Sequence, residues 1–335
     1  MLSRKFKNNT TIGQQKRRIE DVHMMTKTEK QSIHKGKSRF MKCLPLTLMA
    51  LPGVVLLFIF HYIPLYGLIL PFKDYKVSLG FFKSPWAGLK NFKFLFNSDT
   101  VLVATRNTIL YNLAFIFVGT AAAVLLAILL FELTRKKVKV YQTVLMLPHF
   151  ISMVVVAYIV NAILDMDSGV LNMIRIKFGL EPLMWYNTPS YWPVILVLTN
   201  LWKTIGYNMV IYYAALMGLD MECFEAATVD GASWWQKVWH ITIPGIKSMI
   251  VIMVLLSVGN ILRGDFGLFY NVPLNSSLLY PTTDVIDTYV YRALMDLGDV
   301  GMAAAAGFYQ TVIGFILVLS ANLLTKKINP ENALF

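Results

Sequence analysis

Read from one charge to the next, the chain alternates long charge-free apolar stretches with short charged segments. Six stretches are candidate bilayer crossings: Leu44–Phe72, Asn107–Phe131, Val140–Leu164, Pro182–Leu219 with Lys203 inside it, Ser248–Leu262 and Val300–Thr325. A hydrocarbon layer of about 30 Å needs roughly 20 apolar helical residues, and lipid leaves an open chain only the helix for satisfying its backbone. The fifth stretch falls short, since its charge-free residues rise only about 22 Å. It is therefore expected to start near Ile243, with Lys247 snorkelling to the interface. The predicted spans are thus residues 44–72, 107–131, 140–164, 191–219, 243–262 and 300–325, an all-α membrane protein with six transmembrane helices. Pro52 and Pro64 in the first span and Pro148 in the third predict kinks there.

Composition agrees with this pattern: 56% of the 335 residues are hydrophobic and only 15% charged, more apolar surface than one soluble core can use. Most soluble enzyme classes are excluded on that ground. The two cysteines, Cys43 and Cys223, build no disulfide framework and have no C-x-x-C neighbour, so both are read as reduced and structural.

The net charge of +12 would point to nucleic acid were it spread over the chain. Instead residues 1–42 hold twelve Lys or Arg against three acids, in a segment poor in aliphatic residues. This is expected to be a disordered basic tail that sets topology and touches anionic membrane lipid, with no nucleic-acid role. A cleavable signal peptide is not expected, because the charged region is too long and the run from Leu44 is a full span. Residues 43–335 then form the membrane domain. Placing both termini in the cytoplasm puts twenty of the 31 Lys and Arg on that side, led by Arg135-Lys136-Lys137-Val138-Lys139. The discordant segment is 73–106, where Trp86, Phe92, Phe94 and Phe96 with Lys90 and Lys93 predict a short interfacial helix at headgroup level.

The most informative stretch is residues 220–244. It reads as two short helices broken at Gly231, and Phe224, Ala227, Val229, Trp234, Trp235, Val238 and Trp239 give it too much apolar surface for a free loop. It requires something to dock into. Ala226 and Ala227 permit close backbone approach, Glu225 offers a charge to an arginine on a partner, and Gly231 permits a sharp bend.

This stretch resembles the signature of the membrane-spanning permease subunits of bacterial binding-protein-dependent ATP-binding-cassette importers: Glu-Ala-Ala, three residues, Gly, nine residues, then Ile-x-Leu-Pro. Here it stands as Glu225-Ala226-Ala227, Gly231 and Ile241-Thr242-Ile243-Pro244, departing only by Ile243 for Leu. The resemblance covers about residues 44–335. Trp86-Ala87-Gly88-Leu89-Lys90-Asn91-Phe92, Arg106-Asn107-Thr108, Asp230-Gly231-Ala232, the Thr283–Arg292 stretch and the closing Lys326-Lys327 with Phe335 are similar to the carbohydrate branch that imports oligosaccharides. It implies a type I importer permease fold with cytoplasmic coupling helices inside residues 220–244. Glu225, Ala226, Ala227, Asp230, Gly231, Ile243 and Pro244 would then carry the coupling to an ATPase. The implied partners are a second permease subunit in a heterodimer, two ATP-binding-cassette ATPase subunits and an extracytoplasmic solute-binding protein, in the bacterial inner membrane. No cofactor is expected in this chain; ATP and Mg would be bound by the partner ATPase.

Polar groups inside spans are costly unless they face protein or water. Asn200, Lys203 and Tyr207 fall at i, i+3 and i+7 on one face of the fourth span, with Trp202, Asn208, Tyr212 and Tyr213 nearby. This face offers hydrogen bonds and stacking surfaces to an oligosaccharide. The competing reading is interhelical hydrogen bonding, with Lys203 paired with an acid or snorkelling. Asn161, Asn260, Gln310 and Asn322 are read as helix-packing residues, as are Gly314, Ala321 and Ala303–Ala306. Asp265, Asp284, Asp287, Asp296 and Asp299, among the aromatic residues of Arg263–Gly301, make either a docking face for the binding protein or an ordinary solvated loop.

Absences narrow the mechanism. No G-x-x-x-x-G-K-[ST] phosphate loop, H-E-x-x-H, G-x-S-x-G or Cys/His ligand set occurs, so energy must come from another polypeptide and the chain is not itself an enzyme. A secondary transporter is the alternative, but it would be expected to show inverted repeats and charged midplane residues, and only Lys203 resembles that. A membrane enzyme or scaffold would leave the apolar stretch at 220–244 without purpose.

Overall fold

A computed structural model describes residues 45, 47–93 and 98–328. The basic tail and Cys43 lie outside the described residues. The chain divides into two compact units, residues 1–67 and 68–335, with helix α1 (Thr47–Phe72) straddling the division. In α1 the regular α bonding gives way to a π turn at Phe58–Tyr62 and to 3₁₀ turns over Ile63–Phe72. The change falls at Pro64, which has no N–H to give and whose ring crowds the carbonyl of the preceding turn. Nothing comparable happens at Pro52.

The second unit holds α2 (Asp99–Phe131), α3 (Arg135–Phe150), α4 (Met153–Leu164), α5 (Val170–Lys177), α6 (Trp192–Leu216), α7 (Met221–Val229), α8 (Trp234–Val258), α9 (Phe266–Asn271), α10 (Ile286–Leu297) and α11 (Val300–Ile328). Extended pairing among the described residues is limited to one antiparallel bridge, Lys73 with Trp86. Among the described residues, five helices (α1, α2, α6, α8 and α11) are long and apolar enough to cross a membrane, and α3 with α4 makes a sixth if the pair is one span.

The third span is therefore broken, where a kink was expected: α3 and α4 meet at 97°. The break is not at Pro148 itself but just beyond it. Ile151 and Ser152 are extended, and the Ser152 hydroxyl accepts from the Val155 N–H to cap α4. α2 begins at Asp99 rather than Asn107, because charged Arg106 ends a hydropathy run without ending a helix. α8 begins at Trp234 and ends at Val258, so the fifth span lies further toward the N-terminus than residues 243–262.

Packing joins these helices in three clusters. Ala123, Ala127, Ile128, Met209, Tyr212, Leu216, Val238 and Ile246 lock α2, α6 and α8 together. Tyr111, Val156, Trp192, Leu196, Leu268 and Phe269 join α2, α4, α6 and α9. Ile261, Leu262, Ile286 and Ala306 join α10 and α11 to the end of α8. Backbones touch where small residues permit it: a Cβ on Gly206 would stand 1.9 Å from the Leu145 carbonyl oxygen, and one on Gly314 2.9 Å from that of Gly259. Gly314 and the buried Ala305 and Ala306 thus pack as expected.

Among the described residues of the segment expected to form an interfacial helix, the helical pieces before Lys93 are short, Gly80–Lys83 and Lys90–Phe92. Lys73 Nζ donates to the Phe81 and Phe82 carbonyls and sits over the Trp86 ring. Lys90–Phe92 is a single 3₁₀ turn whose Phe92 packs inward on Phe72 and Phe308; Phe94 and Phe96 lie outside the described residues. Residues 263–301 are no solvated loop. Asp284 is buried in a 2.6 Å ion pair with Arg292, while Asp265 and Asp299 cap α9 and α11. Asp287 Oδ2 accepts from the Gly264 N–H and from Gln310 Nε2, and burial pushes its carboxyl above the usual range. Asp284 and Asp287 thus spend their charge inside the fold, while Asp265, Asp296 and Asp299 stay exposed. The motif residues of α2 hold this layer down: Asn107 Nδ2 donates to the Pro281 and Asp284 carbonyls, Thr108 accepts from the Ile286 N–H, and the Tyr111 hydroxyl donates to Thr282.

Candidate functional site

Residues 220–244 form a helix, a tight turn and a second helix, each end defined by neighbouring side chains. Asp220 Oδ1 accepts from the Glu222 N–H to start α7. Gly231, at φ +74°, ends it in the left-handed conformation, and the Ala232 N–H returns to the Ala227 carbonyl. Ser233 and Gln236 make a reciprocal capping box that opens α8. A π turn at Val238–Thr242 lets the helix run on through Pro244, since the Ile243 N–H bonds the Val238 carbonyl one residue further back than usual. Ile243 and Pro244 accordingly lie within a continuous helix.

Besides the packing of Val238, an aromatic contact and a hydrogen bond fix this unit to the end of α2. The Phe224 ring lies 5.7 Å from Phe131, and Trp234 Nε1 donates to Glu132 Oε1 at 3.0 Å. The opposite face is open: Glu225, Ala226, Asp230 and Gly231 are exposed and Ala227 is half-buried. Val229 is 87% exposed, Trp235 62% and Trp239 61%, an apolar surface that water alone would not stabilise. Cys223 is free and exposed on α7, so it is reduced but not a core residue.

Inside the bundle lies a cavity of about 440 Å³ bordered by α2, α3, α6, α8 and residues 260–265. The helical face anticipated on α6 supplies Asn200, Thr204, Tyr207, Asn208 and Tyr212. Trp202 and Lys203 do not line it. Trp202 is exposed, and the Lys203 ammonium donates to main-chain carbonyls at the end of α3. It neither pairs with an acid nor snorkels. On the helical wheel Lys203 lies on the far side of Asn200 from Thr204 and Asn208, which turns it toward α3.

Other lining residues were not anticipated. His149 stacks face to face on Tyr207, with centroids 4.7 Å apart and planes 11° apart. Asn112 Nδ2 is already committed to the Thr108, Ile261 and Arg263 carbonyls, so it shapes the wall. Asn260, Arg263 and Asp265 close one end of the cavity. Asn260 had been read as a packing residue and the other two as part of an outer segment. Gln310 does pack helices, donating to the Leu262 carbonyl and to Asp287. Among the described residues no cluster of His, Cys, Asp and Glu is arranged to hold a metal. The arrangement suits a neutral or polar guest held by amides, hydroxyls and aromatic faces.

Residues 119–330, which include the α7–α8 unit and most of the cavity lining, match the family described as "Binding-protein-dependent transport system inner membrane component". The chain belongs to this family. Among relatives of this permease component, the polygalacturonan/rhamnogalacturonan transport system permease protein YteP of Bacillus subtilis (strain 168) is 35% identical over 85% of this chain and 89% of that protein. Protein LplB of the same organism is 33% identical over 85% and 90% of the two chains. A solved structure of a bacterial ABC transporter that imports the acidic polysaccharide alginate contains a chain 32% identical to this one. It superposes with a TM-score of 0.79, covering 87% of this chain and 98% of that one. The alginate transporter has also been solved with its alginate pentasaccharide-bound periplasmic protein, where the TM-score is 0.78. The fold is the type I permease fold that the motif implied, and the chain is a multi-pass membrane protein.

Proposed function

We propose that the chain is the membrane-spanning permease subunit of an ATP-driven importer that moves an oligosaccharide or polysaccharide fragment across the bacterial inner membrane. The observation that carries this reading is the exposed α7–Gly231–α8 unit, whose Glu-Ala-Ala and Gly spacing is presented on an open apolar face of a bundle that also carries a polar cavity. In this reading that unit lies on the cytoplasmic side, where two ATPase subunits bind ATP and Mg and grip it. Glu225 faces a basic group of the ATPase, Ala226 and Ala227 allow close approach, and Asp230 with Gly231 keeps the turn tight. Ile243 and Pro244 carry its movement into α8. A second permease subunit completes the route, and a solute-binding protein delivers the sugar from the opposite side. Asn200, Tyr207, Asn208 and Tyr212 meet sugar hydroxyls and ring faces; the basic tail rests on anionic lipid.

The test is reconstitution of the assembled complex in proteoliposomes with its binding protein. Glu225→Lys is expected to lower sugar-stimulated ATPase and uptake by about a hundredfold, the cost of reversing one charge-assisted contact in a desolvated interface, while the subunit still inserts. Normal uptake by this variant would overturn the assignment. Thermal shifts of the binding protein against a glycan panel identify the sugar.

A further inference from the structure

The end of α3 is an unusual place to stop a helix. The last carbonyls of any helix lack partners within it, and here they lie inside the charge-free Val140–Leu164 stretch, where lipid has no donor to offer. Lys203 supplies the donors. Its Nζ bonds the carbonyls of Pro148 at 3.4 Å and His149 at 3.2 Å, and also that of Ile151. An ammonium has three N–H groups to give, so all are used on this one chain end. The negative end of the α3 dipole favours the cation there. The ion pair recorded among the described residues is Arg292–Asp284, so the charge of Lys203 is met by main chain instead of by a carboxylate.

Two further features tie this cap to the cavity. Gly206, one turn along α6, lets the α3 and α6 backbones touch at Leu145, which brings Lys203 within reach. His149, whose carbonyl is one of the three acceptors, stacks its ring on Tyr207, four residues beyond Lys203. Both rings line the cavity, and His149 Nδ1 is buried without a partner from the chain.

We infer that Lys203 is a positioning residue: its ammonium caps the broken end of α3, fixes the angle between α3 and α4, and thereby places the His149–Tyr207 stack in the wall of the cavity. The residue touches no cavity surface itself, so its influence on a passing saccharide runs through His149. That second half rests on the proposed transport function; the first half does not.

The test uses the assembled complex with two readouts. Spin labels at positions 144 and 158, exposed on α3 and α4, report the angle by pulsed electron resonance after Cys43 and Cys223 are replaced with serine. Lys203→Met, similar in length but without donors, is expected to shift or broaden the distance distribution, and Lys203→Arg to restore it. In uptake assays Lys203→Met is expected to raise KM about tenfold with the maximal rate held within about twofold, and Lys203→Arg to recover most of that loss. Should the Met variant fail to assemble, Lys203→Leu, which also lacks donors, is read the same way. An unchanged distance distribution in the donor-free variant overturns the cap. A changed distribution with unchanged KM, while His149→Ala does raise KM, overturns the link from cap to cavity. If neither Asn200→Leu nor His149→Ala affects uptake, the saccharide route is at fault, and the distances alone decide Lys203.

Discussion

Two places in this protein stop one helix and start another, and they do so by opposite means. At the α7–α8 turn the capping bonds come from residues close by in sequence: Asp220 for Glu222, Gly231 for the reversal, Ser233 and Gln236 for each other. At the α3–α4 break Ser152 caps α4 and the Ile151 N–H bonds the Pro148 carbonyl, but the carbonyls of Pro148, His149 and Ile151 also converge on Lys203, more than fifty residues away along the chain. The first is a turn that can form before the bundle does. The second exists only after α6 has docked. The first stands open to a partner, whereas the second sets the His149 ring in the cavity wall, so one is suited to receiving force and the other to holding shape.

The largest effect should come from attacking the long-range side. Gly206→Ala puts a methyl into the Leu145 carbonyl and must push α3 from α6, an overpacking cost of about 1–3 kcal/mol or more. The yield of folded protein and its melting temperature in detergent are expected to fall, and a melting temperature equal to wild type would show that the contact is not as close as described. Next comes Gly231→Val on the local side. No atom obstructs a side chain there, but φ is +74°, so the substitution should cost about 1–2 kcal/mol in backbone strain alone. Because the strain is confined to an exposed turn, insertion and the thermal stability of the bundle should hold while sugar-stimulated ATPase is lost. Gly231→Asn, which tolerates that conformation, should be much milder. The smallest effect is Ser233→Ala, which removes one half of the capping box for about 1 kcal/mol. Hydrogen exchange should quicken at the Trp234–Lys237 amides and nowhere in α3 or α6. Spread to those helices would dissolve the distinction between the two breaks.

The same contrast explains which features were legible in the residues. Residues 220–244 could be read as helix, turn and helix because each signal sits within four residues of the group it serves. The polar face of α6 was legible through its 3.6-residue period, which placed Asn200 and Tyr207 together with Asn208 and Tyr212 nearby. Lys203 was misread as part of that face, since periodicity tells which side a residue is on but not what stands opposite. His149 was passed over: a lone histidine after Pro148 carries no signal until Tyr207 is found stacked against it. That Arg263 and Asp265 line the cavity was not legible, because charge ends the hydropathy run before them.

By itself, then, the order of residues determined how many times the chain can cross a bilayer, where the exposed helical turn lies and which family signature it bears. All of these depend on hydropathy runs and on contacts between near neighbours. Only the tertiary structure decided that the third crossing is bent through 97°, that a lysine serves as its cap, and which polar groups share a cavity. The physical reason is that a carbonyl buried away from water must find a donor wherever the packed bundle brings one, and that donor's distance along the chain is set by the packing.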